Sequence, residues 1–196
     1  MREHAAWHAT TVNRLLRATS PWVLFVPIVG AITIYLLNTN PDIAPYLTKE
    51  QAEIISPLIL AVGLAVAALL AAWSNPYYKW LALFAFALLL RELHFGGTNA
   101  GFYVALVLLI GWASYARDRF EPFISDKRIV SLFMAVLWTY AVSKTFDRRM
   151  WDHVLPAGTT RDLFEENLEV LGHVLFVVLV VVSVFIDGVI PPTQRN

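Results

Sequence analysis

Residues 159–190, "TTRDLFEENLEVLGHVLFVVLVVVSVFIDGVI", begin as an acidic surface segment and end as an apolar run. On a helix, at about 100° per residue, Asp162, Glu166, Glu169 and His173 fall within an arc of roughly 60°, with Glu165 and Asn167 pointing elsewhere. Like charges at that spacing repel. The stripe therefore needs cations, and the chain offers Arg91, Lys144, Arg148 and Arg161, or a bound metal. Two further segments carry polar chemistry. "LLLRELHFGG", residues 88–97, places Arg91, Glu92 and His94 ahead of the helix-breaking Gly96 and Gly97. "YAVSKTFDRRMWDH", residues 140–153, sets Ser143 and Asp147 four apart on one helix face and Lys144 and Arg148 four apart beside it.

These residue types suit acid–base work at an anionic head group. Glu92, Asp147, Glu166, Glu169 and His173 are the candidate catalytic groups, with Asp147 or Glu166 a general base whose proton affinity burial and like charges would raise. Arg91, Ser143, Lys144 and Arg148 are the candidate substrate-binding groups, the cations gripping a phosphate or carboxylate. Oxygen and nitrogen ligands also suit a divalent zinc, iron or manganese ion. His94, Glu169 and His173 are the ligand candidates, a remaining carboxylate activating metal-bound water. The Glu-x-x-His spacing of di-metal bundles is absent, and so is H-E-x-x-H. A b-haem between His94 and His173 would rest on one histidine per helix. The bland readings are a rim of charges that snorkel to water at residues 88–97, a basic anchor with Trp151, and Ser143 as a helix-packing residue.

The elements that position these groups are read from composition. Of 196 residues, 58% are hydrophobic and 15% charged, against about 45–50% and 25% in soluble domains. The chain belongs with integral membrane proteins. Fifteen basic and fifteen acidic residues give no argument for nucleic acid, and the lack of cysteine excludes disulfides and thiolate sites. Six apolar stretches stand out: Trp22–Leu37, Ile54–Trp73, Trp80–Phe95, Ala100–Ala116, Ile129–Ser143 and Val170–Ile190. Backbone in lipid must satisfy its own hydrogen bonds, so each is read as a helix. The expected fold is an all-α bundle of six transmembrane helices in one domain, residues 1–196. Residues 1–20 form an interfacial amphipathic segment or a tail. "LNTNPDIAPYLTKEQ" and "RDRFEPFISDKR" are read as loops.

Arg2, Arg14, Arg17, Lys79, Arg117, Arg119, Lys127, Arg128 and Arg195 fall on one side. By the positive-inside rule that side, with both termini, is cytoplasmic, in a bacterial-type inner or plasma membrane. The three polar segments then share the outer half. An acid, then Ser and Asp, then a His near the last helix resembles membrane hydrolases of the alkaline-ceramidase type. Those have seven spans and a paired-histidine motif on the last helix. This chain has six and His173 alone, so their function is not carried over.

The leading expectation is a hydrolase or group transferase acting on a lipid or lipid-linked substrate through an outward-facing pocket. The alternatives are a non-catalytic subunit or assembly factor that uses the acidic stripe to dock a protein partner or a second copy, and a small proton-coupled transporter.

Overall fold

The computed structural model describes residues 2–73, 75–93, 98–155 and 160–189, with side chains at 10–72, 75–93, 100–155 and 160–186. All regular structure among them is helical. Helix α1 (Arg2–Ala18) leads through a 3-10 turn, Pro21–Phe25, into α2 (Val26–Asn38). There follow α3 (Lys49–Trp73), α4 (Pro76–Glu92), α5 (Thr98–Tyr115), α6 (Arg117–Ser125), α7 (Lys127–Asp147) and α8 (Arg161–Val189).

Four stretches are long and apolar enough to cross a membrane: Pro21–Asn38, Lys49–Ala72, Lys127–Asp147 and Arg161–Ile186. Helices α5 and α6 make a fifth if they are one broken span, bent by 96° where they meet. Helix α4, with 17 residues, reaches about 25 Å at 1.5 Å per residue, short of a hydrocarbon core of roughly 30 Å. The six apolar stretches of the sequence thus become four or five helices of spanning length and one shorter helix.

The short helix is also the most enclosed. Tyr78, Leu81, Phe84, Ala85 and Leu88 of α4 are all at most 1% exposed. Helix α3 packs against both α4 and α8, α7 runs along α8, and α5 covers another side of α4. Phe84 lies 5.8 Å from Phe176 of α8, centroid to centroid, and Trp80 lies 5.8 Å from Phe133 of α7. Apolar side chains on the opposite faces stay exposed, among them Val104, Val107 and Leu108 of α5 and Ile28, Val29 and Ile32 of α2. A ring of this kind suits a lipid solvent, where burial does not drive helix association and close packing does. A Cβ on Gly63 of α3 would stand 3.2 Å from Val177 and 3.3 Å from Phe176 of α8, so a side chain there would push these neighbours back by a few tenths of an ångström.

The stretch read as the basic loop "RDRFEPFISDKR" is mostly helix α6. Phe120 and Phe123, three apart, share one face and bury against α4. Phe123 stacks on Tyr77 at 3.8 Å, and Phe120 meets the edges of Tyr77 and Trp80. Aromatic packing wins over the charge density that suggested a loop. Arg14 of α1 pairs with Glu121 on the outer face of α6, which fixes the amphipathic α1 beside it.

Helix α4 opens with Asn75, whose side chain accepts the Tyr77 amide at 3.0 Å, followed by Pro76. Helix α7 opens with Asp126, which accepts the amides of Arg128 at 2.8 Å and Ile129 at 3.3 Å. Hydrogen bonding from the Arg128 guanidinium, with help from these amides, holds the Asp126 carboxyl below its ordinary value despite partial burial. A depressed folded-state value stabilises above the unfolded value, about 3.9, and the contribution is lost as pH falls through the folded one. Asp126→Ala is therefore expected to cost about 1 kcal/mol near pH 7, read as thermal unfolding in detergent. The gap to the parent protein should close below about pH 4.

Candidate functional site

Side chains of α4, α7 and α8 meet near one end of the bundle. The 29-residue α8 is about 43 Å long. Its last charge before the apolar run is Glu169, which leaves 170–189, roughly 30 Å, for the hydrocarbon core. His173 lies about 6 Å along the axis beyond Glu169, within that apolar run. On α4, Glu92 stands about 20 Å along the axis from Lys79, less than the roughly 30 Å of a hydrocarbon core. An unpaired charge there costs roughly 2.5–3.5 kcal/mol.

The charges are paired. Glu169, 5% exposed, is the hub. Its Oε1 accepts from Arg91 Nη2 at 2.8 Å, Lys144 Nζ at 2.9 Å and Ser143 Oγ at 3.3 Å. One carboxylate thus ties α4, α7 and α8 together. Lys144 also meets Glu165 at 2.9 Å and Asp147 at 3.8 Å. Arg91 stands 6.0 Å over the Phe102 ring of α5, within cation–π range. Below the hub, Nε2 of His173 lies 3.8 Å from Oε1 of Glu92, longer than a hydrogen bond. His173 is fully buried, and neither ring nitrogen has a hydrogen-bond partner among the described residues. The Tyr140 ring packs 5.4 Å from the imidazole, and its hydroxyl is likewise buried without a partner. A buried polar atom left in this state costs about 1–3 kcal/mol. Several such atoms in one place call for an explanation beyond packing.

Exposure is graded through the centre. Asp147 and Lys144 have 54% and 40% of their side chains exposed, Arg91 17%, Glu92 8% and His173 none. Asp147 and Lys144 are the exposed end of the cluster and the imidazole is its buried end.

The structure brings together Arg91, Glu92, Ser143, Lys144, Glu169 and His173, with Asp147 at the edge. Glu166, about 60° round α8 from Glu169, meets Lys49 of α3 at 3.7 Å instead of the α7 cation. Arg148 is exposed at the end of α7 and makes no ion pair among the described residues. His94 lies outside the described residues. Among the described residues no three His, Asp or Glu side chains gather as a metal site, and the Glu169 oxygen expected to ligate an ion is held by two cations. The acidic stripe is therefore two half-stripes, one facing α7 and one facing α3.

Three participants were not read from the sequence as site residues. Glu165 is four residues before Glu169, the spacing that lets both reach Lys144. Lys49 falls in the stretch whose composition reads as a loop, and it opens α3. Tyr140 sits four before Lys144 on α7, an aromatic on the face that bears the site. Gly172 is what admits the Tyr140 ring. A Cβ there would stand 2.8 Å from Tyr140 Cε1, and the ring is wedged against His173. Gly172→Ala is expected to destabilise by roughly 1–3 kcal/mol through overpacking, measured by thermal unfolding in micelles.

No family model matches this chain, and neither does any curated protein or solved structure.

Proposed function

We propose that the chain is a six-span integral membrane protein of a bacterial-type inner or plasma membrane, and that the Glu92–His173–Glu169 centre is the active site of a hydrolase or group transferase acting on a lipid or lipid-linked substrate. The short α4 counts as the sixth span because its apolar sides are covered by neighbouring helices. By the sequence, nine of the fifteen basic residues fall at the end away from the centre and six at the centre's end, a bias that supports cytoplasmic termini and an outward-facing site.

The observation that carries the reading is the buried imidazole of His173 beside Glu92, at the inner end of a charge cluster whose exposed end is Lys144 and Asp147. In this reading a headgroup enters at Lys144 and exchanges its own anionic oxygens for those of Glu165 and Glu169. His173 takes the proton of the attacking water or acceptor hydroxyl and returns it to the leaving oxygen as the substrate's ester bond breaks, and Glu92 steadies the imidazolium in between. Arg91, held by Glu169, faces the charge that develops. Ser143 is fully buried and donates to the Glu165 carbonyl at 3.1 Å and to Glu169, which supports a helix-joining role.

The test is turnover. Purified protein incubated with a total membrane-lipid extract should convert one lipid class, read by mass spectrometry. If no lipid changes, the enzyme reading fails.

A second reading, a proton-coupled carrier, is favoured by the sealing of His173 next to Glu92, a place where a proton can be held out of water. It calls for proton flux in proteoliposomes loaded with a pH-sensitive dye. The docking reading has less support: Glu165, Glu166 and Glu169 already meet cations of the same chain.

A further inference from the structure

At the opposite, basic end of the bundle a second site is built from unrelated elements. A cleft of about 480 Å³ lies between the 3-10 turn, the start of α7 and the end of α8. Trp22, Leu132 and Val182 make an apolar wall, and Lys127 and Arg128 stand beside it. The Ser20 amide donates to Ser131 Oγ at 3.0 Å, which ties the turn to α7 at the back of the cleft. Asp126, the nearby acid, is spent on the helix start and on Arg128, whose guanidinium it holds at 3.0 Å. Arg128 is thereby fixed in place. Lys127 is exposed and makes no ion pair among the described residues. The uncompensated charge at the cleft is positive.

A cation with an apolar wall beside it, at the boundary of a membrane bundle, matches one kind of ligand. Soluble anions have no use for Trp22, Leu132 and Val182. Zwitterionic lipids have no use for the extra charge of Lys127. The exposed Val12 and Leu16 of α1, next to Arg14 and Arg17, continue the same amphipathic surface along the boundary. We propose that this cleft binds one anionic phospholipid, its phosphate on Lys127 and Arg128 and the start of one acyl chain along Trp22 and Leu132. Basic pockets between transmembrane helices recognise lipid headgroups in this way. The site is independent of the Glu92–His173–Glu169 centre and stands whether or not that centre is catalytic.

The experiment is native mass spectrometry of the full chain released from micelles doped with phosphatidylglycerol or with phosphatidylcholine. One phosphatidylglycerol per chain should persist at activation energies that strip phosphatidylcholine. Lys127→Gln, at an exposed position that leaves the fold intact, should lower its retention about five-fold. Leu132→Trp, which fills the apolar wall, should lower it as well without touching a charge. Equal retention of the two lipids overturns the proposal, as does retention unaffected by Lys127→Gln. Protection from thermal unfolding by inorganic phosphate as large as that by phosphatidylglycerol would make the site one for a soluble anion and overturn the lipid assignment.

Discussion

Arg91→Met should destabilise the protein by about 3–5 kcal/mol, the cost of breaking a buried ion pair by removing one partner. The guanidinium is the donor that links α4 to α8, and both partners are largely shielded from water, with 17% and 7% of their side chains exposed. Lys144 stays on Glu169 at 2.9 Å and is partly hydrated, so the loss should sit toward the low end of that range. The double variant Arg91→Met/Glu169→Leu should recover much of it, because two apolar side chains of similar volume leave no stranded charge. Lys144 keeps Glu165 in that background. Chemical unfolding in detergent reads both. A single variant within a few tenths of a kcal/mol of the parent would mean that Arg91 reaches water on its own, and the centre would be a decorated rim.

His173→Gln should lower lipid turnover by about 10²–10⁴-fold, the range for loss of a positioned general base. Stability should hold or rise, since the imidazole contributes no hydrogen bond among the described residues and leaves two buried nitrogens unmet. This opposition of effects separates chemistry from scaffolding. A structural histidine would lose melting temperature along with activity. Glu92→Gln should fall between the two, lowering the maximal rate more than the apparent substrate affinity, because it acts through His173 across 3.8 Å. An unchanged rate in His173→Gln would remove the imidazole from the mechanism and leave the carboxylates to be tested in turn.

Much of the centre was legible in the sequence, for a reason specific to membranes. Charges inside apolar stretches are costly, so Arg91, Glu92, Glu169 and His173 announce themselves. Helical spacing put Glu169 and His173 on one face. The missed residues were those whose roles depend on the neighbour. Glu165 and Glu166 are adjacent on α8, and which of them faces Lys144 follows from where α7 crosses, a fact carried by Gly172 and Tyr140 rather than by the acids. Lys49 became a partner through the packing of α3 on α8. Spans were harder. The fifth helix turns by 96° because Phe120 and Phe123 find Tyr77 and Trp80. A window of hydropathy sees only charge in that stretch. Helix α4 is short in length yet central in position, and enclosure of that kind is a property of the whole bundle.

The link between Arg91 and Glu169 spans 78 residues of chain. Synthesis at about 5–20 residues per second puts roughly 4–16 seconds between the emergence of the two partners. Throughout that interval the guanidinium lacks the Glu169 carboxylate and has only the neighbouring Glu92 as a counter-charge on its own helix. A short helix ending in Arg and Glu has little reason to leave the insertion machinery unaided, and α3 alone supplies no counter-charge to Arg91 in the finished structure. Insertion of α4 should therefore be late and cooperative with α8, so that chains cut before residue 161 are retained at the translocon or handed to quality-control proteases rather than released into the bilayer.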